Sequence, residues 1–581
     1  MERRRYVLGM EYKWLINPLE DTLAAKAKEL SHQLHISEVS ARLLVRRGIA
    51  SPDEAKQYVY PSLANLHDSF LMRDMAEAVE RLELALRKGE RILIYGDYDV
   101  DGTTAVALVY RTLSLVTDNL DFYIPDRYTE GYGISFRGID YAEEQHCSLI
   151  IALDCGIKAV DKVEYASSKG IDFIICDHHT PGDVLPKAVA VLNMKRHDCP
   201  YPYKELSGCG VGFKFMQAFA RRNNITEQQI KDVLPLLAMS IASDVVPITG
   251  ENRILAYYGL QQLNAHPSAG LRSLMRVAGI ADKKLTITDL VFKIGPRINA
   301  SGRMHSGADA VRLLLTNDEA QADDFAAQID SYNAERKDYD NRTTEDALAI
   351  LQADPENDSK CSTVVYSPEW HKGVVGIAAS RLIETYYRPT IVLTRGDDGI
   401  ISGSARSVAG FDIYTAIDSC RDLLTNFGGH MYAAGLSLRE QDLPEFKQRF
   451  EAYVSTHILP EQKYPIISIE EEIRFADIDK TFFALLRHLE PFGPGNPRPI
   501  FLTRNVINNR YTKRVGKTGE HLRLDVTDRT AAITGIAFGQ GDWALHLQNG
   551  KAVDICYELD ENTFNGQTSV QMMVQDIRDN E

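Results

Sequence analysis

The sequence has no Cys-x-x-Cys pair among its eight cysteines, and it has no apolar run near the ~20 residues of a membrane helix. The cysteines are scattered, and several stand in apolar strand-like runs. They indicate reduced thiols and argue against a disulfide scaffold or zinc ligands. The N-terminus begins basic but lacks both a long apolar core and a small-residue cleavage site, so no export signal is predicted. These absences predict a cytoplasmic protein without a membrane segment.

A basic charge balance is also lacking, because the formal net charge is −16 over 581 residues. This charge argues against a general nucleic-acid coat but is compatible with a groove that has a locally basic floor. On charge alone, a small-molecule enzyme is favoured. The length exceeds what one core supports and predicts three or four domains. No internal repeat or low-complexity segment is evident.

Three carboxylates, Asp97, Asp99 and Asp101, stand at alternate positions in one short loop. The apolar run 91–95 before the loop predicts a buried strand, and residues 103–115 after it predict a helix. Ligands of α/β proteins gather at the carboxyl ends of such strands. Three like charges this close repel each other unless a cation holds them, so the loop predicts a divalent-metal site.

Two other interpretations of this loop compete. A calcium loop of the EF-hand type needs an acidic ligand at position twelve, which is Leu108 when counted from Asp97. The segment before the loop also has the pattern of a strand, whereas an EF-hand needs a helix there. A solvated acidic turn would be favoured if the loop stood alone.

Further acidic and His residues follow apolar runs later in the chain: Asp154, Asp177-His178-His179 and Asp244. A single Asp at a strand end is more often a helix cap or turn former, and a single His pair is more often an ordinary hydrogen-bonded pair. With the loop that contains Asp97, Asp99 and Asp101, there are four such elements, each at a predicted strand or helix end. Helix caps alone hardly explain all four. Together they predict one metal centre.

The order of these motifs resembles that of the DHH phosphoesterase superfamily, and within it the chain resembles the RecJ single-stranded-DNA exonucleases. The subfamily resemblance rests on four further stretches: GPRINASGR (295–303), SGSARS (402–407), GGH (428–430) and PFGPGNP (491–497). The match runs from about Trp14 to the C-terminal region. It therefore covers nearly the whole chain.

Apolar runs that alternate with helical stretches predict an α/β fold, and the resemblance implies its arrangement. We expect two α/β lobes, a DHH domain and a DHH-associated domain, joined by a long helix and followed by a C-terminal OB-type β-barrel. The expected domains are an N-terminal helical segment (1–70), a DHH catalytic domain (71–315), a connecting helix (316–358), a DHH-associated substrate-binding domain (359–464) and an OB-fold nucleic-acid-binding domain (465–581). On this map, a chain that ends near Tyr464 keeps every expected metal ligand.

Carboxylates combined with imidazole suit Mn²⁺ or Mg²⁺, and the histidines favour Mn²⁺. Two such ions can stabilise the attacking and leaving oxygens of an in-line phosphoryl displacement, with an activated water as nucleophile. By resemblance, the expected metal ligands are Asp97, Asp99, Asp101, Asp154, His178 and Asp244. His179 completes the expected catalytic set by facing the scissile phosphate.

The resemblance also implies how these ligands are shared between the ions. Asp154 is the expected bridging ligand, Asp97 and Asp99 serve one ion, and the remaining three ligands complete the other. Family II pyrophosphatases carry a His where Tyr95 stands here, so the assignment of Asp97 and Asp99 to individual ions stays open. Asp177 is either a ligand or a residue that holds a His tautomer.

The resemblance implies eight substrate-binding residues: Arg127, Arg297, Asn299, Arg303, Ser404, Arg406, Gly429 and His430. Ser404 and Arg406 would hold the terminal 5′ phosphate with help from Arg127, because Arg suits bidentate phosphate contacts. For the basic, Gly-rich stretch 293–303, a solvated loop with ordinary turns is the alternative. The stretch 208–212 resembles a phosphate loop only faintly, and a tight helix start is favoured there.

The expected function is a single-stranded-DNA-specific 5′→3′ exonuclease that releases 5′-mononucleotides by two-metal-ion hydrolysis in DNA repair and recombination. One alternative is a DHH-family phosphoesterase of short RNAs or cyclic dinucleotides, whose relatives generally lack the C-terminal barrel. Another is an inactive replication scaffold of similar fold, against which the complete ligand set argues. Single-stranded DNA is the expected partner, and a single-strand-binding protein or a helicase is a further one. A monomer is expected.

Overall fold

The computed structural model describes residues 11–396, 399–564 and 567–580. The chain divides into two units. The parallel-sheet unit contains residues 60–336 and 489–497, and the barrel unit contains the residues up to 59, residues 337–488 and the residues from 498 on. Within the described ranges, no helix has the length and apolar character needed to cross a membrane.

The N-terminal part of the barrel unit is not wholly helical, contrary to the prediction for residues 1–70. Residues 1–10 lie outside the described residues, and the next segment forms a strand that pairs in parallel with Ile466–Ile469. Trp14 packs with Ile467 and Ile469 in an apolar cluster, which favours extended structure over a helix. The elements here are β1 (Lys13–Ile16), α1 (Asp21–Leu34), α2 (Glu38–Arg46) and α3 (Pro52–Val59).

Five parallel strands form the central sheet of the parallel-sheet unit. They are β2 (Arg91–Gly96), β3 (Leu120–Tyr123), β4 (Cys147–Leu153), β5 (Asp172–Cys176) and β6 (Ala190–Leu192). Their spatial order is β3-β2-β4-β5-β6. The chain reverses direction across the sheet between β2 and β4, so the carboxyl ends of these two strands flank the position where α/β sheets bind ligands.

Helices cover both faces of this sheet, which explains why its strands are continuous apolar runs. In β2, Ile92 and Ile94 face one core while Leu93 and Tyr95 face the other, and all four are fully buried. The first helices are α4 (Met75–Lys88), α5 (Val100–Leu113), α6 (Phe136–Glu144), α7 (Val160–Ser168) and α8 (Gly208–Arg222).

The rest of the parallel-sheet unit is helical and ends in a helix that continues into the barrel unit. The elements are α9 (Glu227–Lys231), α10 (Leu234–Ser243), α11 (Gly250–Ala265), α12 (Ala269–Val277), α13 (Ile287–Asp289), a π-helical turn (Leu290–Ile294), α14 (Gly295–Met304), α15 (Gly307–Leu315) and α16 (Glu319–Ala353). The charged sequence predicts a long helix here and leaves an interruption open; α16 contains neither Pro nor Gly and runs uninterrupted.

A second, mixed sheet lies in the barrel unit, and only its β7–β8 pair is parallel. Its order is β10-β11-β9-β8-β7. The elements of this region are β7 (Thr363–Tyr366), α17 (Val375–Thr385), β8 (Thr390–Arg395), β9 (Ile400–Arg406), α18 (Ile413–Asp418), β10 (Leu424–His430), β11 (Ala433–Arg439) and α19 (Leu443–His457).

The C-terminal strands close into a five-stranded barrel, which confirms the predicted OB-type architecture. The ring runs β14-β18-β19-β17-β16 and closes where β14 pairs again with β16. The elements are β12 (Ile466–Ile469), β13 (Glu471–Glu472), α20 (Lys480–His488), β14 (Phe501–Asn508), β15 (Lys513–Val515), β16 (His521–Thr527), β17 (Ala532–Ala537), α21 (Trp543–Gln548), β18 (Val553–Phe564) and β19 (Gln567–Asp579).

Candidate active site

The loop after β2 places the three predicted carboxylates of the first motif. Asp99 is the N-cap of α5, and its side chain accepts a 3.0 Å hydrogen bond from the Gly102 backbone N–H. A Cβ on Gly102 would lie 2.4 Å from the Asp97 carbonyl oxygen, so only glycine allows the loop to fold this tightly onto the helix. Asp97 and Asp101 are both almost completely buried.

Asp101 is held by the start of another helix. Its carboxylate accepts hydrogen bonds from the backbone N–H groups of Gly208 (2.7 Å) and Cys209 (2.8 Å) and from the Ser240 hydroxyl (2.7 Å). The stretch 208–212 is thus a helix start, as favoured from the sequence, and its free amides bind a carboxylate of the protein itself. This anchoring fixes Asp101 from outside its own loop.

Asp154 follows β4 in a left-handed backbone conformation (φ 58°), which is uncommon for a residue other than glycine. Its N–H donates a 2.9 Å hydrogen bond to the Cys176 carbonyl at the end of β5. A Cβ on Gly208 would lie 2.5 Å from Asp154 Cβ, so the glycine makes room for this side chain. Strain of this kind costs about 1–3 kcal/mol and is typical of functional sites.

His178 lies at the centre of the predicted ligands. Its Nε2 is 3.3 Å from Asp154 Oδ1, 3.5 Å from Asp244 Oδ2 and 3.9 Å from Asp101 Oδ2. Ligand atoms of Asp101, His178 and Asp244 all lie within 4.8 Å of one another, and so do those of Asp154, His178 and His179. The first group is the set expected for one ion. Among the described residues, the predicted ligands Asp97 and Asp99 fall in neither group.

Like-charge crowding in a buried site raises the carboxylate pKa values. Burial, and next the charge of Asp99, raise the pKa of Asp97 well above its usual range. Burial and then Asp101 raise the pKa values of Asp99 and Asp154 in the same way. For Asp244, burial and the Asp101 charge raise the pKa to about 9. Bringing this many carboxylates together is unfavourable unless a cation neutralises them.

Several buried atoms of the cluster have no protein partner. In the part of the chain that the structure describes, no hydrogen bond of normal geometry reaches Asp154 Oδ1, Asp244 Oδ2, either ring nitrogen of His178 or either carboxylate oxygen of Asp97. Burial also lowers the pKa of His178, which favours the neutral ring that binds metals. Unpaired carboxylate and imidazole atoms fit Mn²⁺ or Mg²⁺ better than a purely structural polar cluster.

The His179 ring has a hydrogen-bond partner at each of its two nitrogens. Its Nδ1 lies 2.7 Å from Asp177 Oδ1, and its Nε2 lies 3.3 Å from the Tyr132 hydroxyl oxygen. Because the Tyr132 hydroxyl donates its one proton to the Asp154 carbonyl (3.1 Å), it can only accept from His179. Burial alone would lower the pKa of His179, but the hydrogen bond and charge of Asp177 raise it. Asp177 therefore orients His179, the second of its two predicted roles.

Sequence reasoning missed Tyr132 and Asn193 as parts of this arrangement. Asn193 is fully buried, and its side chain donates to the His179 carbonyl (2.8 Å) and accepts from the Lys195 N–H (2.7 Å). Tyr132 stands between Gly131 and Gly133, which both have φ of +84°. That Gly-Tyr-Gly pattern was the available signal, but it predicts a turn and does not indicate what the hydroxyl contacts.

Three of the predicted substrate-binding residues, Arg127, Asn299 and Arg303, lie on segments that contact the loop after β2. The Arg127 guanidinium carbon lies 5.0 Å from the centre of the Tyr98 ring, within the loop. A Cβ on Gly302 would lie 2.6 Å from the Tyr98 carbonyl oxygen, so α14 packs directly against this backbone. Asn299 and Arg303 lie on the same helix and are half-buried. Gly302 thus allows α14 to pack closely against the Tyr98 backbone.

Arg297 is the exception among these residues. It is 9% exposed, and its guanidinium donates to Asp330 Oδ1 (2.9 Å) and to the carbonyls of Lys293 (2.7 Å) and Val277 (3.3 Å). The stretch is helix α14 rather than the solvated loop of the alternative interpretation. Because protein groups already occupy the guanidinium, the structure favours a structural role for Arg297 over the predicted phosphate contact.

Ser404 and Arg406, in the barrel unit, lie two residues apart on β9 and so point to the same face of the sheet. Arg406 Nη1 donates to Ser404 Oγ at 2.8 Å, and a Cβ on Gly376 would lie 2.9 Å from Arg406 Nη2. Gly376 is in the first turn of α17, so the pair faces a helix N-terminus. Burial lowers the pKa of Arg406, and no carboxylate of the described residues pairs with it. This arrangement suits an anion.

Gly429 and His430 lie at the edge of the same sheet. His430 pairs with Ala433, and Ala433 pairs with Arg406, so the three residues form one row across β10, β11 and β9. Gly429 has φ of +146°, and a Cβ there would lie 2.4 Å from the Ala433 carbonyl oxygen. The row places the exposed His430 two strands from Arg406.

Three families match separate parts of the chain: the DHH family N-terminal domain at residues 91–241, the DHHA1 domain at 359–456 and the RecJ OB domain at 469–576. The single-stranded-DNA-specific exonuclease RecJ of Bacillus subtilis (strain 168) is 34% identical over 98% of this chain and 71% of its own length. This chain belongs to the RecJ family. The resemblance inferred from the motifs is thereby confirmed.

Two solved RecJ structures, both from Thermus thermophilus, are similar over the whole chain. The crystal structure of RecJ in complex with Mn²⁺ has a TM-score of 0.83 and 30% identity, over 98% of this chain and 80% of its own. The corresponding Mg²⁺ complex has a TM-score of 0.77 and 29% identity, over 98% of this chain and 79% of its own. Both ions named for these RecJ proteins are those predicted from the ligand chemistry here.

Proposed function

We propose that this chain is a metal-dependent 5′→3′ exonuclease that is specific for single-stranded DNA and releases 5′-mononucleotides. The observation that carries this proposal is the buried cluster around His178, with unpaired carboxylate and imidazole atoms in a chain of the RecJ family. Two divalent ions bound there would stabilise negative charge on the attacking and leaving oxygens of the phosphodiester.

The protein groups have distinct roles in this proposal. His178 is common to both groups of candidate ligand atoms, and Asp154, whose Oδ1 lies 3.3 Å from His178 Nε2, would be the ligand that the two ions share. His179, held between Asp177 and Tyr132, would stabilise charge on the scissile phosphate. Ser404, Arg406 and the start of α17 would bind the terminal 5′ phosphate, which fixes the polarity of digestion.

The barrel would hold the incoming strand through a basic cluster on β15 and its neighbours. Residues 508–519 contain Arg510, Lys513, Arg514 and Lys517 and no acidic residue. Lys513 and Arg523 are direct cross-strand partners, a like-charge pair that an anion would stabilise. The nearby Tyr511 is 72% exposed and free to stack on a base.

The location and partners follow from family resemblance alone. We propose a cytoplasmic monomer that works with a single-strand-binding protein or a helicase in repair and recombination.

Two alternative functions, a phosphoesterase of short RNAs or cyclic dinucleotides and an inactive scaffold, are less favoured. The reason is that the similar RecJ proteins, which match nearly this whole length, are single-stranded-DNA exonucleases. Incubation of the protein and Mn²⁺ with single-stranded DNA and, separately, a cyclic dinucleotide distinguishes these functions. Rapid hydrolysis of the DNA alone supports the proposal, whereas preference for the dinucleotide contradicts it.

Tyr132→Phe should reduce kcat on single-stranded DNA about tenfold. This is the lower end of the activity loss that is usual when a group that orients metal-site residues is removed. The ring remains, but His179 and the Asp154 carbonyl lose their shared hydroxyl. KM for DNA should stay within twofold, whereas Tyr132→Ala should also raise KM. Tyr257→Phe, which removes a hydroxyl elsewhere in the same unit, is the control. If Tyr132→Phe matches this control in kcat, the hydroxyl has no positioning role.

Lys513→Gln combined with Arg523→Gln should weaken binding to long single strands. Removal of two phosphate contacts should lower the slope of log K against log salt concentration by about 1.4, since each contact on a single strand contributes about 0.7. Salt-dependent binding to a fluorescent single strand measures this slope. Arg474→Gln removes an exposed cation that is paired with Asp477 in the same unit, and it serves as the control. An unchanged slope in the double variant would exclude this cluster as the strand-holding surface.

A further inference from the structure

The PFGPGNP stretch has no role in the proposed chemistry, yet its position is unusual. Residues 489–497 belong to the parallel-sheet unit, whereas the residues on both sides of them belong to the barrel unit. The chain therefore passes from the barrel unit into the parallel-sheet unit for these nine residues alone and then returns. A linker that only connected two parts of the barrel unit would not need to enter the other unit.

The segment packs against the loop that follows Asp244. The Ile248 N–H donates a 2.6 Å hydrogen bond to the Pro494 carbonyl, and Ile248 is fully buried. A Cβ on Gly493 would lie 2.4 Å from Ile248 Cδ1, and one on Gly495 would lie 3.0 Å from Thr249 Cγ2. A side chain at either position would crowd this loop, and the φ of +72° at Gly495 further favours glycine there.

The segment is closed on itself by hydrogen bonds among its own residues. Gly493 and Asn496 exchange backbone hydrogen bonds of 2.9 and 3.0 Å. Asn496 is 1% exposed, and its side-chain amide donates to the carbonyls of Leu489 and Pro491, both at 2.9 Å. The Arg253 guanidinium donates to the Glu490 carbonyl at 2.9 Å, which ties the start of the segment to α11.

The loop that contacts residues 489–497 has a strained backbone directly after the candidate metal ligand Asp244. Val245, directly after Asp244, has φ of +60°, which is a genuine outlier for a β-branched residue. Such a conformation persists only where the surroundings over-determine it. The Tyr203 hydroxyl contacts the Pro247 carbonyl from one side (3.2 Å), and residues 489–497 fix the loop through Ile248.

We propose that residues 489–497 act as a clamp that holds the strained loop and thereby keeps the Asp244 carboxylate beside His178. Gly493, Gly495 and Asn496 are positioning residues in this account, because they act through Asp244 and touch neither metal nor substrate. The inference rests on the proposed function for its catalytic consequence. A chain that ends near Tyr464 would keep every expected metal ligand but lose the clamp.

The test uses three variants of the full chain. Gly495→Ala strains a backbone with φ of +72° and crowds Pro247 and Thr249. Asn496→Ala opens the segment without adding bulk. Gly550→Ala is the matched control, because Gly550 has a similar φ of +77° but no atom within 4 Å of its added Cβ. Calorimetric titration with Mn²⁺ alone, kcat and KM on a short 5′-phosphorylated single strand, and thermal unfolding are measured for each.

Gly495→Ala and Asn496→Ala should each weaken one of the Mn²⁺ sites about tenfold and lower kcat at limiting Mn²⁺ to a similar extent. KM for the strand should be unchanged, excess Mn²⁺ should restore part of kcat, and Gly550→Ala should stay within twofold of wild type. If Gly495→Ala does not fold, Asn496→Ala decides. Clamp variants that unfold at lower temperature but bind Mn²⁺ and cleave like the control would overturn the proposal. A wild type that binds Mn²⁺ but degrades no DNA would contradict the proposed function, and the Mn²⁺ titrations would still decide the clamp.

Discussion

Asp154→Asn should reduce hydrolysis of single-stranded DNA by about 10³-fold or more, since in the proposed site both ions share this carboxylate and their charge stabilisation amounts to several kcal/mol. Asparagine keeps the size of the side chain and tolerates the left-handed backbone (φ 58°), so the fold should persist. Initial rates with saturating Mn²⁺ measure the effect. Affinity for single-stranded DNA should be largely retained, because the barrel and the second sheet carry their own contacts.

Asp183→Asn, an exposed carboxylate of the same unit, is the control for this prediction and should cleave like wild type. A folded Asp154→Asn protein that keeps more than a few per cent of wild-type activity would exclude Asp154 as a shared ligand. It would then move the centre of the site towards the Asp101, His178 and Asp244 group.

Arg406→Ala should remove most of the preference for a 5′-phosphorylated end. The guanidinium is half-buried and has no carboxylate partner among the described residues, so a phosphate monoester, which carries more charge than an internal diester, is the ligand we expect for it. A charge-assisted contact of this kind contributes about 1.5–3 kcal/mol, which corresponds to roughly a tenfold to hundredfold change. The ratio of kcat/KM values on 5′-phosphate and 5′-hydroxyl strands should fall by that factor.

Arg395→Ala provides the matched loss of a cation from the neighbouring strand β8, where Arg395 is exposed and paired with Glu440. Its ratio should equal that of wild type. An Arg406→Ala protein with an unchanged ratio would show that Ser404 and Arg406 do not bind the terminus. The basis of the 5′→3′ polarity would then have to lie elsewhere.

The sequence predicts the main sheet and its acidic edge because local signals are strong there. The apolar runs before Asp97, Asp154 and Asp177 are the strands β2, β4 and β5, so these three residues could be placed at one edge of the sheet from the pattern alone. The barrel was equally accessible, since its strands alternate with turns at short spacing. The strand at Lys13–Ile16 was missed because the strand that it pairs with, Ile466–Ile469, is far away in sequence.

Contacts that bridge distant segments could not be predicted. Nothing in the loop around Asp101 indicates that the amides of Gly208 and Cys209 bind it. Arg297 is of a residue type that commonly binds phosphate, but its guanidinium donates to Asp330 on another helix. The clamp at residues 489–497 is likewise invisible to local patterns, since its glycines are explained only by the loop they touch.

The central claim is tested most directly by digestion of end-labelled DNA. Single strands and blunt duplexes, labelled at either end and carrying a 5′ phosphate or a 5′ hydroxyl, are incubated with the protein in Mn²⁺ or Mg²⁺. We expect labelled mononucleotide to appear first from the 5′ end of phosphorylated single strands, with duplexes resistant and no cleavage in a chelator. Release from the 3′ end, equal digestion of duplexes, or activity without a divalent ion would contradict the account.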